Sequence, residues 1–215
     1  MNFIKKILLV FLGVALIGMG AAISLINNWG SDPVTVFAQS ISLRLENLDS
    51  NIFSIFSVGN TLIFINLLIF IFLVIKYKFK YIQIGTFAGM FCVGLFIDQW
   101  VKLLEDIILL NNGIIFKTIW MMIGTVVLAT GIGLYVSSEM GAAPVDLVSI
   151  IISERFKLKY FWVRMICDLI FVILGYLLGG VVGLATIFCM ILVGPISGFV
   201  IKNIKKYFIL NKSGD

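Results

Sequence analysis

Apolar residues fall in long runs separated by short polar punctuation, with neither the period-two alternation of strands nor the mixed faces of soluble helices. A bilayer core of about 30 Å needs about 20 residues of apolar helix. Six stretches meet that length: residues 7–26, 53–75, 82–103, 115–136, 161–178 and 181–201. Two shorter mixed stretches, residues 33–45 and 144–156, are too short to span comfortably. The pattern predicts an all-α membrane protein with six transmembrane helices and two short helices.

The two short stretches open on the same phrase. The first copy is Gly30-Ser31-Asp32-Pro33-Val34-Thr35 and the second is Gly141-Ala142-Ala143-Pro144-Val145-Asp146. A shift of 111 residues superposes them and lays Gly13 on Gly124 and Gly20 on Gly131. The last apolar stretch of each half repeats at a shift of 100, with Thr86 on Thr186, Met90 on Met190 and Gly94 on Gly194. One membrane domain, residues 1–215, therefore divides into repeat one (1–110) and repeat two (111–215). Three spans per half is an odd number, so the second half is expected upside down relative to the first, as in many secondary transporters. Each short segment is expected either to re-enter the membrane or to lie along its interface. Proline suits the first helical position, where its missing N–H would have no partner. The glycine three residues earlier permits a sharp reversal.

Composition strengthens the membrane reading: hydrophobic residues make up 61% of the chain and charged residues 13%. Lys5 and Lys6 make the first run resemble a secretory signal, but its length makes it the expected first transmembrane helix, retained. The net charge of +5 is gathered in short clusters beside apolar runs, which argues for topology signals rather than nucleic-acid binding. Lys5 and Lys6, Lys76, Lys78 and Lys80, Arg155, Lys157 and Lys159, and Lys202, Lys205, Lys206 and Lys212 fall on one expected side. The other side has Arg44, Lys102 and Lys117. The rule that positive loops stay inside places both termini in the cytoplasm. Trp29, Trp100, Trp120 and Trp162 sit near helix ends, as an aromatic belt would.

Six spans, a Gly-rich first helix and the repeated Gly-x-x-Pro-Val-[Thr/Asp] phrase resemble the YczE/YyaS/YitT family of bacterial integral membrane proteins. About 14 residues follow the last apolar run, so the resemblance is to the YczE-like branch, without the soluble domain of YitT-type members. It implies a multi-pass protein of the bacterial cell membrane and carries over no catalytic or substrate residues.

The candidate functional residues are polar groups within apolar runs, because charge there is costly and tends to be functional. Asp168 follows Arg164 by one helical turn, so the two can pair on one face. Asn66 holds a similar place in the first half. Asp168 is read either as a substrate or proton site or as half of an internal ion pair, in which case removing both charges repairs the loss of one. Asp146 and its counterpart Thr35 lie in the first turn after a proline, where a helix dipole favours negative charge. There a carboxylate either caps the helix or helps form a ligand site. Asp146, Ser149 and Ser153, with Thr35 and Ser42, fall on one face of each short helix. That face is read as the wall of a wet path or the solvated side of an interfacial helix. Asp98 is expected as a water-facing acid near the outer surface, and Glu139 as an acid meeting water at a helix end. The glycines Gly18, Gly20, Gly85, Gly89, Gly131 and Gly133 are read as close helix–helix contacts. Gly194-Pro195 is expected to kink its helix.

Enzyme chemistry finds no support. Histidine is absent, so no Ser–His pair exists. Gly94-Leu95-Phe96-Ile97-Asp98 is not the Gly-x-Gly-Asp of intramembrane aspartyl proteases, and no phosphate-binding loop occurs. Cys92, Cys167 and Cys189 lie singly in apolar runs, so neither a metal site nor a cofactor is expected. The reading is a secondary transporter or exporter of a small solute; the alternatives are a non-transporting membrane partner, as a substrate-capturing subunit or accessory factor, and a channel. The partners expected are the lipid bilayer and a small solute, not nucleic acid. A second copy, or another membrane protein, is also open.

Overall fold

The computed structural model describes residues 3–46, 56–110, 113–158 and 160–210. They form α1 (Phe3–Asn27), α2 (Pro33–Glu46), α3 (Val58–Tyr77), α4 (Ile84–Leu109), α5 (Ile114–Ser137), α6 (Pro144–Phe156), α7 (Tyr160–Leu177) and α8 (Leu184–Leu210). No strand occurs among the described residues. Five of these helices are long and apolar enough to cross a membrane: α1, α3, α4, α5 and the Leu184–Ile204 part of α8. The fifth expected span, residues 161–178, became α7, an 18-residue helix outside that set, with Arg164 and Asp168 in its sequence. Large apolar side chains stand exposed along the long helices, among them Phe11, Leu68, Phe72, Leu95, Ile119 and Ile191. An apolar exterior of that extent belongs in lipid, so this is a membrane protein with several apolar helices.

The centre is the crossing of α1 and α5, made possible by glycine. A Cβ on Gly13 would fall 2.7 Å from Tyr135 N and 2.8 Å from Gly131 O, and one on Gly20 would fall 2.5 Å from Gly124 O. Partner numbers fall along α5 as they rise along α1, so the two helices run antiparallel. The contact is also reciprocal: Gly13 meets Gly131 and Gly20 meets Gly124, whereas the sequence repeat equates Gly13 with Gly124 and Gly20 with Gly131.

Other contacts recur in repeat-related pairs. α1 packs on α4 and α5 on α8; α2 packs on α7 and α6 on α3; α2 packs on α3 and α6 on α7. The loops interlock in the same way. Gly85 N donates to Met140 O at 2.8 Å, and Ala185 N donates to Trp29 O at 3.0 Å. Gly30 (φ 91°) lies against Thr186, and Gly141 (φ 108°) against Thr86. A side chain at either glycine would be strained by its φ as well as by its neighbours. The residues two positions earlier, Asn28 and Glu139, also have positive φ. Each half thus seats its Gly-x-x-Pro phrase on the start of the other half's last helix.

These contacts sort the basic residues by end of the bundle. The start of α1, the α3–α4 turn, the α5–α6 loop and the close of α6 share one end, with Tyr77 and Tyr81 packed near Ile151. Arg44, Lys102 and Lys117 lie at the other, where Arg44 Nε donates to Leu178 O at 3.0 Å.

Several boundaries moved. The third helix begins at Val58 rather than Phe53, with Ser57 Oγ accepting from Asn60 N at 3.1 Å as its cap; residues 53–55 lie outside the described residues. α4 runs to Leu109, six residues past the apolar run, carrying Glu105 and Asp106 into water-exposed turns. Pro195 sits within one continuous helix, and Ser197 Oγ donates to Gly194 O at 3.1 Å beside it. Trp100 also ties two helices: its Nε1 donates to Ala15 O at 3.2 Å and fastens α4 to α1.

Candidate functional site

Both short helices begin on proline, as the missing N–H of that residue favours. Neither lies flat across the bundle. The first turn of α6 meets Asn66, whose Oδ1 accepts from Val145 N at 3.3 Å. Asn66 stands 11 residues before Tyr77, the last residue of α3, or about 16 Å along the helix at 1.5 Å per residue. The far turns of α6 meet Tyr77 and Tyr81, with Ile151, Glu154 and Arg155 lining one hollow with both tyrosines. α6 therefore runs alongside the second half of α3. α2 does the same against α7: Phe37 packs on Phe171 with ring centroids 5.7 Å apart, and Gly175 and Gly180 admit Val36 and Ser40 closely.

The two N-termini are capped differently. Asp32 Oδ2 accepts from Thr35 N at 3.3 Å, a local cap. Its repeat counterpart is Ala143, which cannot cap, and α6 takes its acceptor from Asn66 in the other half. Asn66 is buried, and its Nδ2 donates to Leu62 O at 3.0 Å, so both ends of its amide are engaged.

Between the two N-termini lies a group of charges. Arg164 and Asp168 are the fifth and ninth residues of α7, and Arg164 Nε donates to the Asp168 carboxylate at 3.0 Å. Arg164 Nη1 also pairs with Asp146 on α6. Asp32 lies within electrostatic reach of both Arg164 and Asp168. Three carboxylates thus share the field of one guanidinium. The side chains remain partly accessible, Arg164 at 26%, Asp146 at 28% and Asp168 at 16%. The Cys189 thiol on α8 feels both Asp32 and Asp168, and Tyr135 on α5 feels Asp146.

The structure thus brings Asp168, Arg164 and Asp146 into one cluster and places Thr35 and Asn66 at the two N-termini beside it. Asp32 was not among the residues singled out by sequence. The signal was present, an acid directly before the proline of a helix start. Ser149, Ser153, Thr35 and Ser42 are buried, and Ser42 lines a cavity, whereas Asp146 on the same face of α6 stays 28% accessible. Ser42 Oγ donates to Phe56 O at 2.6 Å and Ser153 Oγ to Ile150 O at 2.7 Å. Asp98 is likewise more than a surface acid: it accepts from Ser57 Oγ at 2.5 Å and Gly59 N at 3.0 Å, binding the first turn of α3. Glu139 is exposed, as expected of a helix end meeting water. No group of histidine, cysteine and acidic residues suited to a metal occurs among the described residues.

An all-helical chain with several apolar helices, glycine-packed at its centre and carrying a charged cluster among them, defines a multi-pass membrane protein. Residues 4–202 match the family described as a family of unknown function, DUF6198, and the chain belongs to that family. It is similar to an uncharacterized protein of Haemophilus influenzae, with 27% identity over 91% of this chain and 83% of the relative. It is also similar to two Bacillus subtilis proteins. One is the uncharacterized protein YyaS, at 21% identity over 92% of this chain and 93% of that one. The other is the uncharacterized membrane protein YczE, at 32% identity over 54% of this chain and 53% of that one. No solved structure matches.

Proposed function

We propose that this protein is a small secondary transporter or exporter of a small solute in the bacterial cell membrane. In this reading α7 is a sixth span, α2 and α6 are re-entrant half-helices, and the two halves are inverted repeats with both termini in the cytoplasm. The antiparallel, reciprocal crossing of α1 and α5 supports the inversion. So do the paired contacts between the halves. The clustering of basic residues at the end holding the start of α1 supports the orientation. The observation that carries the functional reading is the convergence of both half-helix N-termini on Arg164, Asp146, Asp168 and Asp32. Half-helix N-termini facing a charged group between repeats are how inverted-repeat transporters hold a solute or its coupling ion. Three carboxylates against one guanidinium favour a proton or a cation as the group exchanged there.

The test is flux by the purified protein alone in liposomes, against a panel of labelled small amines, amino acids and sugars. Saturable uptake that is lost in folded Asp168→Asn protein is the expected result. A folded protein with no flux of any panel member would favour a non-transporting partner. A leak that does not saturate would favour a channel.

A further inference from the structure

The two halves differ where each short helix meets its neighbouring turn. α2 lies tight against the α7–α8 turn: a Cβ on Gly180 would fall 2.8 Å from Val36 O and 2.9 Å from Ser40 Cβ. Arg44, near the end of α2, is spent on that turn, its Nε donating to Leu178 O at 3.0 Å. The corresponding place in the other half lies between α6 and the α3–α4 turn. The repeat shifts of 111 and 100 residues lay Ile151 on Ser40, Arg155 on Arg44, Tyr77 on Leu177, Lys80 on Gly180 and Tyr81 on Val181. Here the elements stand apart around a hollow of about 420 Å³, lined by Tyr77, Lys80, Tyr81, Ile151, Glu154 and Arg155. The repeat therefore does not dictate this space, and its tyrosines and lysine belong to one half alone.

The hollow suits an anion. Lys80 Nζ stands 5.1 Å from the centre of the Tyr81 ring, and Tyr77 and Tyr81 meet edge to face with centroids 6.0 Å apart. Contact with a ring positions the ammonium without neutralising it. Neither Lys80 nor Arg155 forms an ion pair among the described residues, although Glu154 shares the wall. Lys76 and Lys78 flank Tyr77 in the chain and Lys157 follows Arg155 by two residues, so positive charge prevails around the rim. Tyr77 is the last residue of a helix long and apolar enough to span, which sets the hollow at the level where hydrocarbon gives way to headgroups. Ile75, Phe79 and Phe156, close in the chain to the lining residues, are exposed.

We infer that this hollow binds the phosphate of an anionic phospholipid headgroup, with Arg155 and Lys80 as its charged donors. A guanidinium gives paired hydrogen bonds to phosphate oxygens, and the ammonium adds a point charge. A soluble phosphate ester offers the same anion, but the exposed apolar side chains beside the hollow favour the source that brings acyl chains.

The test takes the full chain in micelles of neutral detergent with phosphatidylcholine, titrates in dioleoylphosphatidylglycerol and reads bound lipid by native mass spectrometry. Saturable retention of phosphatidylglycerol is expected, at least about tenfold tighter than phosphatidylcholine. Arg155→Gln and Lys80→Gln should each weaken it at least about fivefold, and Glu154→Gln should tighten it. Lys202→Gln removes the same charge at the same end of the bundle, outside the lining, and should change affinity by less than about twofold. No preference over phosphatidylcholine overturns the inference, as does affinity unchanged in both Arg155→Gln and Lys80→Gln. An equal loss in Lys202→Gln would mean diffuse surface charge and overturn it. Glycerol 1-phosphate bound as tightly as the lipid would assign the hollow to a soluble ester and overturn it too. Lys80 and Arg155 are exposed, so their variants should melt as the parent does without added lipid. Should either fail to fold, Glu154→Gln decides: its failure to tighten phosphatidylglycerol overturns the inference.

Discussion

Arg164 holds two carboxylates at once, and this changes what its removal should do. If Arg164 paired with Asp168 alone, Arg164→Gln would repair the damage done by Asp168→Asn. In the structure Arg164 also pairs with Asp146 and acts on Asp32. Asp168→Asn leaves the guanidinium a partner and should cost only about 1–2 kcal/mol. Arg164→Gln strands carboxylates among apolar helices and should cost more, about 3–5 kcal/mol. Adding Arg164→Gln to Asp168→Asn should therefore destabilise the protein further. Thermal unfolding of the two single variants and the double variant checks this, and recovery in the double variant would return the account to an isolated pair. The Arg164–Asp168 spacing was legible because both lie on one helix, one turn apart. The pairing with Asp146 was not, since it joins different helices across 18 residues of sequence, and nothing local records it. Asp32 was not legible as part of the cluster for the same reason, since Arg164 lies in the other half of the chain; its counterpart in the repeat is an alanine, and capping passes there to a residue from the opposite half.

Helices in lipid associate by close packing rather than by escape from water, so glycine positions carry much of the architecture. The repeated glycines of the first and fifth helices could be read as contacts, and the structure seats each against backbone of the other helix. Which glycine meets which was not legible, because the crossing pairs each with the mate of the other. A leucine at Gly20 would drive a side chain into Gly124 O and Leu128 N, both 2.5 Å from its Cβ. Gly20→Leu and Gly131→Leu should each lose at least about 3 kcal/mol of stability, seen as poor yield and early unfolding in detergent. Normal yield with unchanged melting would place these glycines elsewhere than at a tight crossing. The start of α6 offers a gentler test of the same level of structure. Asn66→Leu removes the acceptor for Val145 N and should cost about 1 kcal/mol, with faster amide exchange confined to the first turn of α6. Exchange unchanged at that turn would mean another group caps it. A polar residue at 66 was visible in the sequence, but its role needed the contact with the first turn of α6, 79 residues away.

At the scale of the whole molecule, the account rests on two halves facing opposite ways across the membrane. The two proline-led short helices and most of the long ones were legible from the Gly-x-x-Pro phrase and the length of the apolar runs, whereas five rather than six described helices are long and apolar enough to span. The interlocking of each phrase with the other half's last helix was not legible, because it is a property of chain path rather than of any segment. Inversion places the open ends of the two short helices on opposite faces. Glu46 closes α2 and Lys157 follows α6, and both are exposed. The direct measurement is labelling of single cysteines at these two sites, in a background free of Cys92, Cys167 and Cys189, with a membrane-impermeant maleimide on intact cells. The account predicts that Glu46→Cys is modified from outside, whereas Lys157→Cys is modified only after the membrane is opened. Modification of both from the same side would contradict the inverted arrangement, and with it the meeting of two half-helices from opposite faces at Arg164.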